Sequence, residues 1–266
     1  MEISELHIYP IKSLGGISLS QSEVDLTGLK YDRRWMLTDE NNVFLTQRTF
    51  AELSGFEVKI NLEYLIVTDK KNKNSINIPL IPETQKLENI QIWNDTLKGQ
   101  LVSDKANEFF SDLLKSNIKL FFQPEDSIRK IDAKYQKTGM EITSLSDGYP
   151  ILMVSEESLE YLNQHCNEHI PMDRFRPNIV IKGVNPFFED DIFDFNIGEV
   201  HLRGVKPCAR CIVITIDQKT SEKGKEPLLT LSKIRKMNNK ILFGQNVVVY
   251  RPGLIKVGEK LNLRSI

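Results

Sequence analysis

Apolar and polar positions along this chain alternate in short runs more often than they recur at helical spacing, so most of the pattern predicts β-strand. Runs rich in β-branched and aromatic residues lie between turn signals at Ile3 to Tyr9, Trp35 to Thr38, Glu63 to Thr68, Asn178 to Ile181, Ile212 to Ile216 and Asn246 to Tyr250. Two segments break the pattern. After Ser103, the residues Ala106, Phe109, Phe110, Leu113 and Leu114 follow helical spacing, with Ser103 as N-cap. After Ser155, Glu156 and Glu157 stand where a helix dipole favours anions, and Val154 is placed to staple onto Leu159. A third helix is expected to begin near Pro227 and to end in the basic stretch Lys233 to Lys236. Lys70 to Asn74 is polar and reads as a hairpin tip. Charged, turn-rich sequence from Gln123 to Gly139 suggests a boundary near residue 125, giving a β-rich region 1–125 and a second region 126–266.

The 266 residues suffice for one large or two modest domains, and 40% hydrophobic with 27% charged residues is ordinary globular usage. A formal net charge of −1 removes any global field toward nucleic acid or an anionic membrane, so an anion-binding site must be local. No apolar run has signal-peptide or membrane-spanning length, and the expected setting is cytoplasmic with no membrane anchor. Three cysteines, Cys166, Cys208 and Cys211, do not make a disulfide framework.

The sharpest chemical feature is Lys206-Pro-Cys-Ala-Arg-Cys211, followed by an apolar run that would hold a thiol at the mouth of a strand. Lys206 and Arg210 flank the thiols, and nearby positive charge favours a thiolate, a soft metal ligand. The spacing also fits half of a zinc site, a redox pair or two packed core cysteines. In Arg174-Phe-Arg-Pro-Asn178, two arginines lead into an apolar strand. Arg is the preferred partner of phosphate, although an ion pair with Asp173 or another acid would explain either one. Tyr9-Pro-Ile-Lys-Ser13 ahead of paired glycines, with Tyr31-Asp-Arg-Arg-Trp35, can offer cations and a hydroxyl to an anion, but lacks P-loop spacing. Ser146-Asp-Gly-Tyr-Pro150 and Phe243-Gly-Gln-Asn246 are polar turns. His165 and His169 have metal-like spacing with no evident third ligand, and Asp217 is a weak candidate for a general acid.

Taken in order, YPIKS, YDRRW, SDGYP, RFRPNIVI, KPCARC with a following TID, EPLLTL, FGQN and a terminal Gly253 to Gly258 pattern resemble the molybdenum-cofactor sulfurase C-terminal (MOSC) family. The likeness is to members of the mitochondrial amidoxime-reducing type and their bacterial relatives. It covers nearly the whole chain and is strongest from Ser146 to Val257. It implies a mainly β (α+β) fold, with a MOSC β-barrel, a smaller N-terminal β-barrel-like domain and a few helices. It also implies a molybdenum cofactor (Mo-molybdopterin) with Cys211 as the protein ligand to the metal and Cys208 not. Lys12, Ser13, Arg33, Arg176 and Asn178 match residues that hold the pterin and its phosphate. Ser146, Asp147 and Asn246 match positions lining the cofactor, and Arg210 matches a contact beside the ligand. The implied chemistry is two-electron reduction of a small N-hydroxylated substrate, with electrons from a separate ferredoxin-, flavodoxin- or cytochrome-type protein. The competing reading is a carrier of cofactor or sulfur with no reductase activity of its own.

Overall fold

The structure, a computed structural model, describes residues 1–264, and it is built mostly of strands with three α-helices. Its largest element is a nine-stranded sheet. Strand Ile151–Ser155 runs parallel to Ile179–Lys182 and antiparallel to the long strand Lys240–Arg251, which in turn pairs with Val200–Ala209. Alternation sets the faces: in Asp194–Ile197, Phe195 and Ile197 are buried while Asp194 and Asn196 are only partly covered.

The first strand of the chain, Glu2–Ile8, joins this sheet beside Ile179–Lys182, with Leu6 opposite Ile179. Its Ile3, Leu6 and Ile8 enter the same apolar core as Met153, Ile181, Leu202 and Val249. A three-stranded sheet of Gln21–Asp25, Gly28–Leu29 and Gly253–Lys256 closes over that core through Val24, Leu29 and Ile255. Both chain ends therefore bury their side chains with the second half of the sequence.

The remainder of the first half is a separate β layer. Trp35–Thr38, Lys119–Phe122, Asp95–Leu101 and Leu87–Ile92 form one sheet, and Phe56–Ile60, Tyr64–Asp69 and Ser75–Pro79 form another. Between them packs α1 (Asp104–Leu114), which buries Ala106 and Phe110 and is capped by Ser103 accepting from the Ala106 N–H. Trp35, Leu37, Phe56 and Val67 complete this core. The boundary expected near residue 125 falls in the loop between Lys119–Phe122 and the short strand Arg129–Lys130.

Helix α2 (Glu156–Asn163) is capped by Ser155, and Val154 and Leu159 share one apolar cluster as the staple pattern anticipates. Helix α3 (Leu228–Ile234) follows Pro227. One expected strand is absent: Ile212–Thr215 is a 3-10 turn that begins at Cys211. The strand Val200–Ala209 ends just before it, and the chain then leaves the sheet. Ile214, Thr215 and Ile216 are buried consecutively rather than alternately, and the Thr215 hydroxyl donates to the Ile212 carbonyl at 2.8 Å. β-branching expressed a burial preference here, with no neighbouring strand left to pair. No helix among the described residues is long and apolar enough to cross a membrane.

Candidate functional site

The ten residues that the family resemblance assigns to the cofactor all line one cleft, between the N-terminal β layer and the large sheet. Three of them, Ser13, Arg33 and Arg176, have left-handed backbone with φ of 72°, 47° and 55°. Non-glycine residues adopt this conformation at a cost of about 1–3 kcal/mol each, and it persists only where the surroundings enforce it.

Arg33 and Arg176, each a few residues ahead of a strand, converge on Tyr9, their guanidinium carbons 4.3 and 4.2 Å from the ring centroid. Arg33 is held by both oxygens of Asp32, at 2.9 and 2.7 Å, and donates to Asn178 Oδ1 and the Arg176 carbonyl. Asp32 is fully buried and also accepts from the Tyr9 N–H at 2.8 Å. Asn178 is itself buried; its amide accepts from Arg33 and the Leu152 N–H and donates to the His7 carbonyl. Asn178 therefore acts here by fixing Arg33.

No carboxylate pairs with Arg176 among the described residues, and its Nη2 is a buried donor with no partner in the protein. Burial, with Arg33 close by, pulls its pKa down to about 10. It stays charged near neutrality, but an anion beside it would remove a real penalty. Arg210 Nε and Arg174 Nε are likewise buried without acceptors. Arg210 otherwise donates to the Phe175 carbonyl at 2.7 Å and to Cys208 Sγ at 3.2 Å. Arg174, the other arginine of its motif, pairs with Asp217 at 2.9 Å, the ion-pair reading of that residue. Although burial works the other way, the Thr220 and Lys219 amides and Arg174 hold Asp217 below the usual carboxylate range, and it does not line the cleft. It is not poised as a proton donor.

On the facing wall, Lys12 is buried and donates to Asp147 Oδ1 at 2.6 Å. Burial lowers Lys12 and Asp147 opposes that fall. Asp147 is 69% exposed along the open cleft yet ringed by protein; against that enclosure, Lys12, Arg48 and Arg33 hold its carboxyl well below the usual range. Ser13 and Ser146 complete this side, with the Ser146 hydroxyl donating to the Tyr149 carbonyl at 2.7 Å. Asn246 approaches from the long strand, its amide donating to the Lys206 carbonyl.

Cys211 caps the 3-10 turn at the end of the cleft. Two residues that the sequence did not flag stand beside it. Arg48 Nη2 donates to Cys211 Sγ at 3.3 Å, and its guanidinium lies 4.4 Å from the Trp93 ring. A third, Arg129, donates to the Ser144, Ser146 and Asp147 carbonyls and to Asp95, thereby holding the Ser146 to Pro150 turn. His165 and His169 line no part of the cleft, and no cluster of three or more His, Cys, Asp or Glu able to hold a metal occurs among the described residues. The cleft thus offers two cysteine thiols, Cys208 and Cys211, several cations and, among the described residues, buried N–H groups without acceptors. That donor set suits an anionic group bringing its own metal ligands, such as a phosphate-bearing dithiolene, and does not suit a bare cation.

Comparison with known proteins bears on the same arrangement. Residues 1–117 match the MOSC N-terminal beta barrel domain and residues 141–262 match the MOSC domain. The mitochondrial amidoxime-reducing component 1 of Mus musculus is 30% identical over 98% of this chain and 82% of its own length. The molybdenum cofactor sulfurase of Oryza sativa subsp. japonica is 30% identical over 91% of this chain, which spans only 32% of that protein. Among solved structures, the YUAD protein from Bacillus subtilis aligns over 98% of this chain and 93% of its own, at 12% identity and a TM-score of 0.44.

Proposed function

The chain belongs to the MOSC family, with a MOSC N-terminal β-barrel domain ahead of a MOSC domain, and from that premise we propose that it is a molybdenum-cofactor reductase of small N-hydroxylated compounds. The observation that carries this reading is the meeting, in one cleft, of the Cys211 thiol with buried guanidinium N–H groups that have no acceptor among the described residues. Relatives named as amidoxime-reducing components, matching almost the whole chain, support the substrate class proposed.

In this reading Arg176, supported by Lys12 and Arg33, holds the cofactor's phosphate, and Arg210 supplies a further donor. Asp32, Asn178 and Tyr9 fix those cations in place. Ser13, Ser146, Asp147 and Asn246 present polar atoms to the pterin, and the Cys211 thiolate ligates the metal. When bound, the molybdenum cofactor supplies the two-electron chemistry by which an N–OH group loses its oxygen. The protein's own part is placement. Arg48 orients Cys211 Sγ, and Trp93, stacked on Arg48, lines the same end of the cleft. The electrons come from a separate protein, and the setting proposed is cytoplasmic.

The deciding experiment compares wild type with Cys211→Ala, both expressed in a host that makes the cofactor, by elemental molybdenum analysis and by turnover of an N-hydroxylated substrate. Near-stoichiometric metal and turnover in wild type, both lost in Cys211→Ala and largely kept in Cys208→Ala, are expected. Turnover retained by Cys211→Ala would remove the site assignment. A cyanide-labile sulfur on wild type without turnover would favour a sulfur carrier.

A further inference from the structure

The segment that carries Cys211 is also where positive charge collects. Between positions 206 and 240 the chain has nine lysines and arginines against three acids, in a protein of formal net charge −1. Arg210 turns into the cleft, and Arg235 pairs with Asp190. Lys219, Lys223, Lys225, Lys233, Lys236 and Lys240 are all exposed, and none is ion-paired with a carboxylate among the described residues. Surface lysines are usually interspersed with acids, so a run of six without pairing partners is a local field and not ordinary solvation.

Local structure holds parts of this segment, Lys223 and the Lys236–Lys240 turn, beside residues that line the cleft, whereas Lys219 faces a neighbouring cavity. The Arg210 N–H donates to the Ile241 carbonyl at 2.7 Å, and the Leu242 N–H to the Arg235 carbonyl at 3.0 Å. These bonds lay the Lys236–Lys240 turn against the strand end that leads into Cys211. Helix α3 buries Leu231 with Ile214, leaving Leu229 and Lys233, one turn apart, exposed. Lys223 bridges to Ile216, and its Nζ approaches the Arg48 carbonyl at 3.5 Å. Exposed apolar side chains sit within the collar: Ile212, next to Cys211, at 53%, Met237 at 55% and Leu229 at 45%.

A basic rim with single apolar residues inside it has the make-up of a surface for brief protein encounters, where charge steers and a small apolar patch seats the partner. It is a poor membrane surface, because α3 spans only seven residues and offers no long amphipathic face. The reaction proposed above consumes two electrons and two protons per N–OH group and yields the reduced compound and one water. Electrons must therefore enter beside Cys211 in two single-electron encounters or their equivalent. Resting on that reductase reading, we propose that the basic collar formed by Lys219 to Lys240 around Ile212 and Met237 is the docking surface for a small, acidic, one-electron carrier protein that delivers electrons to the cleft.

The test uses the cofactor-loaded protein and a reduced acidic flavodoxin as probe. Lys225→Glu/Lys236→Glu/Lys240→Glu is compared with a control triple, Lys71→Glu/Lys98→Glu/Lys105→Glu, whose lysines are exposed on the N-terminal β layer. Direct binding of flavodoxin, which needs no catalysis, is measured first. The collar variant should bind roughly tenfold or more weakly at low ionic strength, with the gap closing at high salt, and the control should match wild type. Flavodoxin-driven turnover should fall in parallel, while turnover driven by reduced methyl viologen, a small cation, should be undiminished. Equal binding by both triples would overturn the docking surface, as would weaker binding with unchanged flavodoxin-driven turnover. Capture by anionic lipid vesicles with no binding of flavodoxin would replace the carrier protein with a membrane. Absent viologen turnover in wild type would count against the reductase reading alone, because the binding comparison judges the collar independently.

Discussion

Arg48 shows most plainly what single residues contribute to this cleft. It comes from the N-terminal β layer, yet its guanidinium bridges Trp93 and Cys211 Sγ. Loss of one well-placed donor at a reacting centre typically costs about 10²–10³ in rate. Arg48→Leu should therefore cut N-hydroxylated-substrate turnover by at least roughly tenfold, with the unfolding midpoint and molybdenum content near wild type. If metal content falls in proportion to turnover, Arg48 retains the cofactor and does not orient the thiol. Nothing in Thr46-Gln-Arg48 distinguishes this arginine in the sequence, because its partners lie 45 and 163 positions away. Asp32 and Arg129 were hidden for the same reason: each acts by holding another residue. By contrast, Lys12, Arg33, Arg176 and Cys211 sat in ordered motifs, and the structure brings them into one cleft. Arg174 and Asn178 show the limit of motif reading. Their motif lines the cleft, but Arg174 pairs with Asp217 and the Asn178 amide makes three bonds to protein partners.

Strands and helices were legible wherever burial and pairing obeyed the same period. Tyr64–Asp69, which alternates partly covered and buried positions, lies within one residue of its expected run, and both serine caps hold their helices. Ile212 to Ile216 failed because its β-branched residues follow the demands of a buried turn. The strand leading into that turn carries a second irregularity that matters for the site. Val200–Ala209 shifts register against Lys240–Arg251 between Gly204 and Lys206, a bulge upstream of the cleft-lining Cys208 to Arg210. Gly204 permits it: a Cβ there would lie 1.9 Å from the Ile192 carbonyl oxygen, which is backbone and cannot swing aside. The Gly204 N–H donates to the Phe193 carbonyl at 2.8 Å, pinning the same crossing. Overpacking of this kind costs about 1–3 kcal/mol where the surroundings yield and more where they do not. Gly204→Ala should lower stability in urea by at least that amount and reduce molybdenum content together with it. A variant of wild-type stability would mean that the strand can slide past Ile192 and that the bulge does not depend on Gly204.

The whole molecule is less divisible than a boundary near residue 125 suggests. Strand Glu2–Ile8 lies in the large sheet, so Tyr9, Lys12 and Ser13 emerge directly from the second half's core before the chain enters the N-terminal β layer. That pairing is spatial, and hydrophobic alternation carries no record of which strand is its neighbour. One consequence is that the cations at positions 12, 33 and 176, which we propose hold an anion, share one interconnected frame. The protein has assembled this frame at a cost, with left-handed backbone at three residues and a buried guanidinium N–H without an acceptor. An anion that fits should repay part of that cost even without the rest of the cofactor. Inorganic phosphate added to cofactor-free protein is therefore expected to raise the unfolding temperature. At about one hundred times its dissociation constant the gain is about 2.7 kcal/mol, or roughly 5–10 °C for a chain of this size. Chloride at equal ionic strength should give little of this, because it cannot accept from Arg176, Arg33 and Lys12 together. Arg176→Met should keep its fold and lose most of the phosphate response. A response that survives in Arg176→Met, or that chloride reproduces, would place the anion elsewhere and leave the buried Arg176 as a structural residue stacked on Tyr9.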